Sequence, residues 1–225
     1  MMMRHLLSLT IACCLLSTTA FAAEEHQDHR RPADIKQYLQ HLDSEERDQY
    51  QKPRQVIDAL NLKPGLAVAD LGSGSGYFTR RFIEAVTETG KVYAVDIEPE
   101  MLKYAEESVV HMHRSYTAEF ILARPDSPKL PYESVNLLFV CNTYHHLEER
   151  TKYFSDAKSS LKPGGRVAII DFYHDERSGE LGFPKRHLVP RETVIAELTE
   201  AGYKLVQEHT FLPRQYFLEF APIVP

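Results

Sequence analysis

The chain has 225 residues, 26 Lys and Arg against 32 Asp and Glu, a formal net charge of −6 and 43% hydrophobic residues. That length buries a full core unaided, and an acidic balance with only short, separated basic pairs (Arg80-Arg81, Lys185-Arg186) argues against nucleic acid as a partner. Of three cysteines, Cys13 and Cys14 sit in the N-terminal leader, which leaves Cys141 without a partner for an intramolecular disulfide.

Arg4 and His5, the apolar residues 6–16 and the small-x-small triplet Ala20-Phe21-Ala22 have the layout of a secretory signal peptide. Cleavage is expected after Ala22, giving a periplasmic or secreted chain. The apolar stretch is shorter than the roughly 20 residues a membrane helix needs, so no stable span is expected after cleavage. Residues 23–31 are polar and read as a disordered lead, and residues 32–225 as one domain. It opens with a helical cap, residues 32–61, in which Ile35, Leu39 and Leu42 share a face, Ser44 caps a second helix and Pro53 opens a third.

From there strand and helix signals alternate. Strands are predicted over 66–71, 92–97, 120–123, 135–141 and 167–171, with a helical stripe of Phe78, Phe82, Ile83 and Val86 ended by Gly90 and helices from Pro99 through Met112 and over 149–161. A last helix over 191–201 leads to strands over 203–211 and 215–220. The pattern specifies an α/β fold: a Rossmann-like, doubly wound, mostly parallel seven-stranded sheet, helices on both faces and a C-terminal antiparallel hairpin.

The most specific signal is Asp70-Leu71-Gly72-Ser73-Gly74-Ser75-Gly76, followed by Asp96 near the end of the second strand. Glycines after a buried strand let the backbone turn sharply and approach a ligand closely. A dinucleotide loop places its third glycine one residue later, where this chain has Tyr77. An anionic Asp70 ahead of the loop also repels a pyrophosphate and suits a cationic amino-acid moiety. The segment resembles motif I of the class I S-adenosylmethionine (SAM) methyltransferases, matched in full. The turn Leu161-Lys162-Pro163-Gly164-Gly165 is a further cue, and Cys141-Asn142-Thr143-Tyr144-His145-His146-Leu147 resembles motif IV of their small-molecule branch. The likeness covers about residues 53–171.

The resemblance implies SAM as cofactor, held by Asp70, Gly72, Ser73, Gly74 and Gly76, with Asp96 on the ribose hydroxyls, Ile97 against the adenine, Asp126 near the adenine amino group and Asn142 on the motif IV side. It implies methyl transfer to a small-molecule acceptor. His145 and His146 are candidate bases, since imidazole removes protons near neutral pH, with Tyr144 shaping the site. His174 and His187 are placed to reach the same pocket, and the insert 172–190, with Tyr173 and Phe183, is expected to line it for a planar or aromatic acceptor.

No metal site is expected: His145 and His146 are adjacent, His111 and His113 are placed on a helix where such spacing does not share a face, and no His-x-x-x-His occurs. A hydrolase elbow needs Ser where Gly74 stands. Because SAM is made in the cytoplasm, export leaves open a second class, a periplasmic nucleoside- or SAM-binding protein that retains the fold without transfer. An NAD oxidoreductase would have to tolerate Tyr77 in the loop.

Overall fold

A computed structural model describes residues 35–181 and 184–223. The expected signal peptide, its cleavage point after Ala22, the 23–31 lead and Phe183 lie outside the described residues. Among the described residues no helix is long and apolar enough to cross a membrane.

Three short helices come first, α1 (Ile35–Leu42), α2 (Glu45–Gln51) and α3 (Pro53–Leu60). Pro53 sits in the first turn of α3, where its missing N–H is no loss, and Lys52 in the left-handed region (φ 44°) makes the corner before it. Ser44 stands at the N-cap of α2, but its hydroxyl makes no capping bond. There follow β1 (Ala67–Leu71), α4 (Tyr77–Val86), β2 (Lys91–Asp96), α5 (Pro99–Val109), β3 (Ala118–Leu122), β4 (Val135–Cys141), α6 (Arg150–Ala157), β5 (Leu161–Phe172), α7 (Arg191–Glu200), β6 (Tyr203–His209) and β7 (Gln215–Pro222).

The seven strands form one sheet in the order β3-β2-β1-β4-β5-β7-β6. Pairing is parallel from β3 to β5; β7 runs antiparallel to both β5 and β6, which realises the C-terminal hairpin with its second strand on the inside. Chain progression goes outward from β1 to β3 and then returns to the far side of β1 with β4. The carboxyl ends of β1 and β4 therefore flank the point where connectivity reverses, the position at which open α/β sheets bind ligands.

Alternation along the strands divides the core. Ala69, Leu71, Leu138, Val140, Val167, Ile169, Leu218 and Phe220 pack with Tyr153, Phe154, Val194 and Leu198 of α6 and α7. Their neighbours Val68, Leu137, Phe139, Ala168, Ile170 and Phe217 pack with Val56, Leu60, Phe78, Phe82 and Ile83 of α3 and α4. A period of two in strands covered on both faces explains why they read as continuous apolar runs.

Two helices are shorter than their periodicity suggests. α5 stops at Val109, leaving His111, Met112 and His113 in the turn beyond it, where β-branched Val109 and Val110 give helix poor support. α6 stops at Ala157 because the Ser159 and Ser160 hydroxyls donate back to the carbonyls of Asp156 (2.9 Å) and Ala157 (2.6 Å), tightening the chain into a 3₁₀ turn before β5. β2 likewise ends at Asp96, and Ile97 lies just past it, half exposed.

Candidate active site

The loop after β1 is fixed by its neighbour strand. Gly72 and Ser73 both donate backbone N–H groups to the Val95 carbonyl, at 2.7 and 3.0 Å, and Gly76 closes the turn onto the Ser73 carbonyl at 2.8 Å. Gly72 has φ +73°, and a Cβ built there would lie 2.2 Å from Thr143 Oγ1, so the loops after β1 and β4 touch where only hydrogen fits. Gly76 (φ +78°) leads directly into α4 and lies against Ala105 of α5.

Asp96 closes the pocket edge from β2. Its Oδ2 accepts the Gly74 N–H at 2.8 Å and its Oδ1 the Glu98 N–H at 3.0 Å, so the carboxylate is locked across two loops. Each oxygen keeps a lone pair, the arrangement a vicinal diol requires. Burial pushes the Asp96 carboxyl up, and the N–H groups of Glu98, Gly74 and Ile97 oppose that shift.

Asp70 does a different job. It is 3% exposed, and its Oδ2 accepts from Thr79 Oγ1 at 2.6 Å, tying the end of β1 to the first turns of α4. Burial pushes its carboxyl up to about 6, against the opposing Thr79 hydroxyl and the positive charge of Arg47. The Ser73 hydroxyl is buried in the loop without a hydrogen-bond partner among the described residues.

On the β4 side, Asn142 adopts the left-handed region (φ 56°), an unusual conformation for a residue other than glycine. Its Oδ1 accepts from Gln215 Nε2 at 2.5 Å and its Nδ2 approaches Gln51 Oε1 at 3.4 Å. A buried amide cluster thus joins α2, the β4 loop and the start of β7. Beyond Thr143, the His145 ring packs near His146 (centroids 4.1 Å), and its Nδ1 lies 2.9 Å from both oxygens of Asp171. Asp171, fully buried at the end of β5, also accepts N–H groups from Phe172 (2.8 Å) and His145 (3.2 Å). An imidazole whose Nδ1–H is given to a carboxylate presents Nε2 as its basic nitrogen.

The structure does not gather every expected residue. Tyr144, expected beside the transferred methyl, is fully buried between the sheet and α6: its ring stacks on Phe154 and its hydroxyl donates to Glu197 Oε2 at 2.6 Å. A 3₁₀ turn over Tyr144–His146 turns successive side chains in different directions, which sends Tyr144 to the core and His145 to Asp171. Asp126 is exposed on the turn closed by the Arg124 and Ser127 pairing, with its charge acting on Tyr153 of α6. His174 is exposed just past β5, and His187 is half-buried in a 3₁₀ turn.

Three participants had no motif to announce them. Asp171 lies at the carboxyl end of an apolar strand as Asp70 and Asp96 do, and that shared position was the available signal. Arg47 and Gln51 belong to α2, whose sequence EERDQYQ reads as an exposed polar helix, yet both are buried.

The raised Asp70 carboxyl has a stability consequence. Folding retains its proton above the ordinary value of 3.8, so the stability tied to the protonated form is full below that value and is lost as pH rises through about 6. Asp70→Asn keeps an acceptor for Thr79 without the buried charge. Urea unfolding should find variant and wild type alike near pH 4 and the variant more stable at pH 8, by up to about 3 kcal/mol; a pH-independent difference would contradict this.

Residues 68–165 match a family model described as a methyltransferase domain. The chain is similar to the ubiquinone/menaquinone biosynthesis C-methyltransferase UbiE of Pseudoalteromonas translucida, 26% identical over 158 residues, covering 69% of this chain and 63% of that protein. Its counterpart in Escherichia fergusonii is 29% identical over 119 residues, 53% of this chain and 47% of that one. The chain thus spans about half to two thirds of the length of these relatives. Among solved structures, a SAM-dependent methyltransferase from Aquifex aeolicus superposes with a TM-score of 0.77 at 29% identity, covering 85% of this chain and 99% of that one. The glycine loop at the sheet's reversal point, the anchored Asp96 and these likenesses agree: the chain carries a class I SAM-dependent methyltransferase domain, and its cofactor is S-adenosylmethionine.

Proposed function

We propose that the protein is an exported enzyme that methylates a small, planar hydroxylated acceptor, with His145 as the proton-accepting base and Asp171 as the residue that positions it. The observation that carries the reading is the contact of His145 Nδ1 with both Asp171 oxygens at 2.9 Å, two residues beyond the Thr143 that packs against Gly72. The Gly72–Gly76 loop and Asp96 fit the cofactor's amino-acid and ribose ends, and the partnerless Ser73 hydroxyl is a buried group that a ligand would satisfy.

SAM supplies an already activated methyl group, so the protein's share is alignment and proton removal. Asp171 holds the imidazole in one tautomer and supports the imidazolium that forms when Nε2 takes a proton from an acceptor O–H or acidic C–H. With SAM bound, the methyl would take the place of that proton on an oxygen acceptor, or bond to the ring carbon of a deprotonated phenol with the ring C–H proton then lost as aromaticity returns, and the cofactor would depart as the neutral thioether. The names of the UbiE relatives support carbon as the methylated atom and a ring bearing hydroxyl or carbonyl groups as the acceptor. Tyr50 and Phe172, with ring centroids 5.7 Å apart, offer an aromatic wall beside the strand ends for such a ring.

The catalytic part is tested by S-adenosylhomocysteine release with a panel of phenols and hydroquinones. His145→Asn should lower kcat by about 100-fold or more with SAM affinity unchanged. Asp171→Asn should lower kcat with a shifted pH profile while KM holds. Wild-type turnover in His145→Asn would remove the base from its role, and no release with any phenol or hydroquinone would move the acceptor to another class. Export is tested by expressing the full chain in a bacterium and sequencing the N-terminus of the periplasmic product. Ala23 is the expected first residue; a cytoplasmic product that retains Met1 would refute export.

A further inference from the structure

Arg47 is a buried cation without a counter-ion among the described residues. The side chain projects from α2 into the interior and is 8% exposed. Its Nη1 donates to the Leu42 carbonyl at 2.9 Å, its Nε has no partner, and among the described residues no carboxylate lies within ion-pair distance. Asp48, one residue away in sequence, is engaged by the Tyr77 hydroxyl and by Arg81 (3.4 Å). Asp43 is engaged by Ser75 (2.7 Å) and Arg80 (2.6 Å). Desolvating an unpaired guanidinium is costly, and proteins bury one where an anion completes the site.

The surroundings indicate which anion. The guanidinium carbon lies 3.9 Å from the centre of the Tyr77 ring, immediately after the glycine loop, and Leu42, whose carbonyl it bonds, comes within 3.1 Å of a Cβ built at Gly74. Its charge is felt both by Asp70 at the end of β1 and by Cys141 at the end of β4. Arg47 is therefore poised over the switch point, on the loop side where the amino-acid end of the cofactor is expected. An α-amino carboxylate there meets the guanidinium fork with its carboxylate and the Asp70 side with its ammonium.

We propose that Arg47 binds the carboxylate of the cofactor's methionine moiety, so that helix α2 of the cap is a working wall of the cofactor site. Two consequences follow. The cap closes on the cofactor through a charge-assisted pair, in addition to the latch that Asp43 makes with Ser75 and Arg80. Ligands that lack the carboxylate lose that pair and leave Arg47 buried and uncompensated.

The inference rests on SAM as the cofactor, and the test separates the two. Calorimetry on the purified chain compares S-adenosylhomocysteine with 5′-S-(3-aminopropyl)-5′-thioadenosine, which lacks only the carboxylate. Wild type should prefer the former by on the order of 30-fold, the worth of a hydrogen-bonded charge. In Arg47→Met that preference should collapse to within about 3-fold because the carboxylate ligand weakens while the other is little changed. Arg47→Lys, which keeps the charge but loses the fork, should fall between them and serves as the folded control if the Met variant is unstable. Equal weakening of both ligands, or an undiminished preference in either variant, would make Arg47 a structural prop for Tyr77. Failure of wild type to bind either nucleoside would instead refute the cofactor assignment.

Discussion

The contact between Gly72 and Thr143 is the constraint on which the rest of the site depends. β1 and β4 are adjacent and parallel, yet the chain leaves them in opposite directions across the sheet. The two loops must separate to open a crevice while remaining close enough for one ligand to touch both. A glycine with φ +73°, packed where any Cβ would strike Thr143, meets both demands. It brings the cofactor loop and the loop that carries Asn142 and His145 into contact at one point. Without that closeness a methyl group held on one side could not reach the base we propose on the other, His145.

Around this point the strands end in carboxylates with distinct tasks. Asp70 faces Thr79 and stabilises the strand-to-helix corner, Asp96 is pinned by backbone N–H groups with lone pairs to spare, and Asp171 grips an imidazole. Position is the same in each case, the carboxyl end of a buried strand, and the partner decides the role. Burial raises both Asp70 and Asp96, with the Asp96 charge adding to the rise at Asp70, whereas the N–H donors on Asp96 favour its ionised, accepting form. The cap adds a positive charge, that of Arg47, which acts on Asp70 at the end of β1 and on Cys141 at the end of β4.

Much of this was legible in the chain itself. The inner strands β1 and β4 announce themselves because they are buried on two faces and therefore almost continuously apolar, and the glycine loop has a spacing that few other ligands require. Less legible were features that depend on contacts distant in sequence. Tyr144 shares a heptapeptide with His145, and only the 3₁₀ turn sends one to Glu197 and the other to Asp171. Arg47 and Gln51 look like surface residues because their helix is polar all round, and it is the cap's docking that buries them. Asp171 was hidden in plain view near the carboxyl end of a strand, with no local pattern to link it to a histidine 26 positions earlier.

SAM recognition at the carboxyl ends of β1 and β4 underlies every role assigned above. Its most direct test is calorimetric titration of the purified chain with SAM, with S-adenosylhomocysteine and with NAD. Saturable, one-to-one binding of the first two at micromolar concentration, with none of the third, is the predicted result. Binding of NAD in preference to both, or no binding of any, would contradict it.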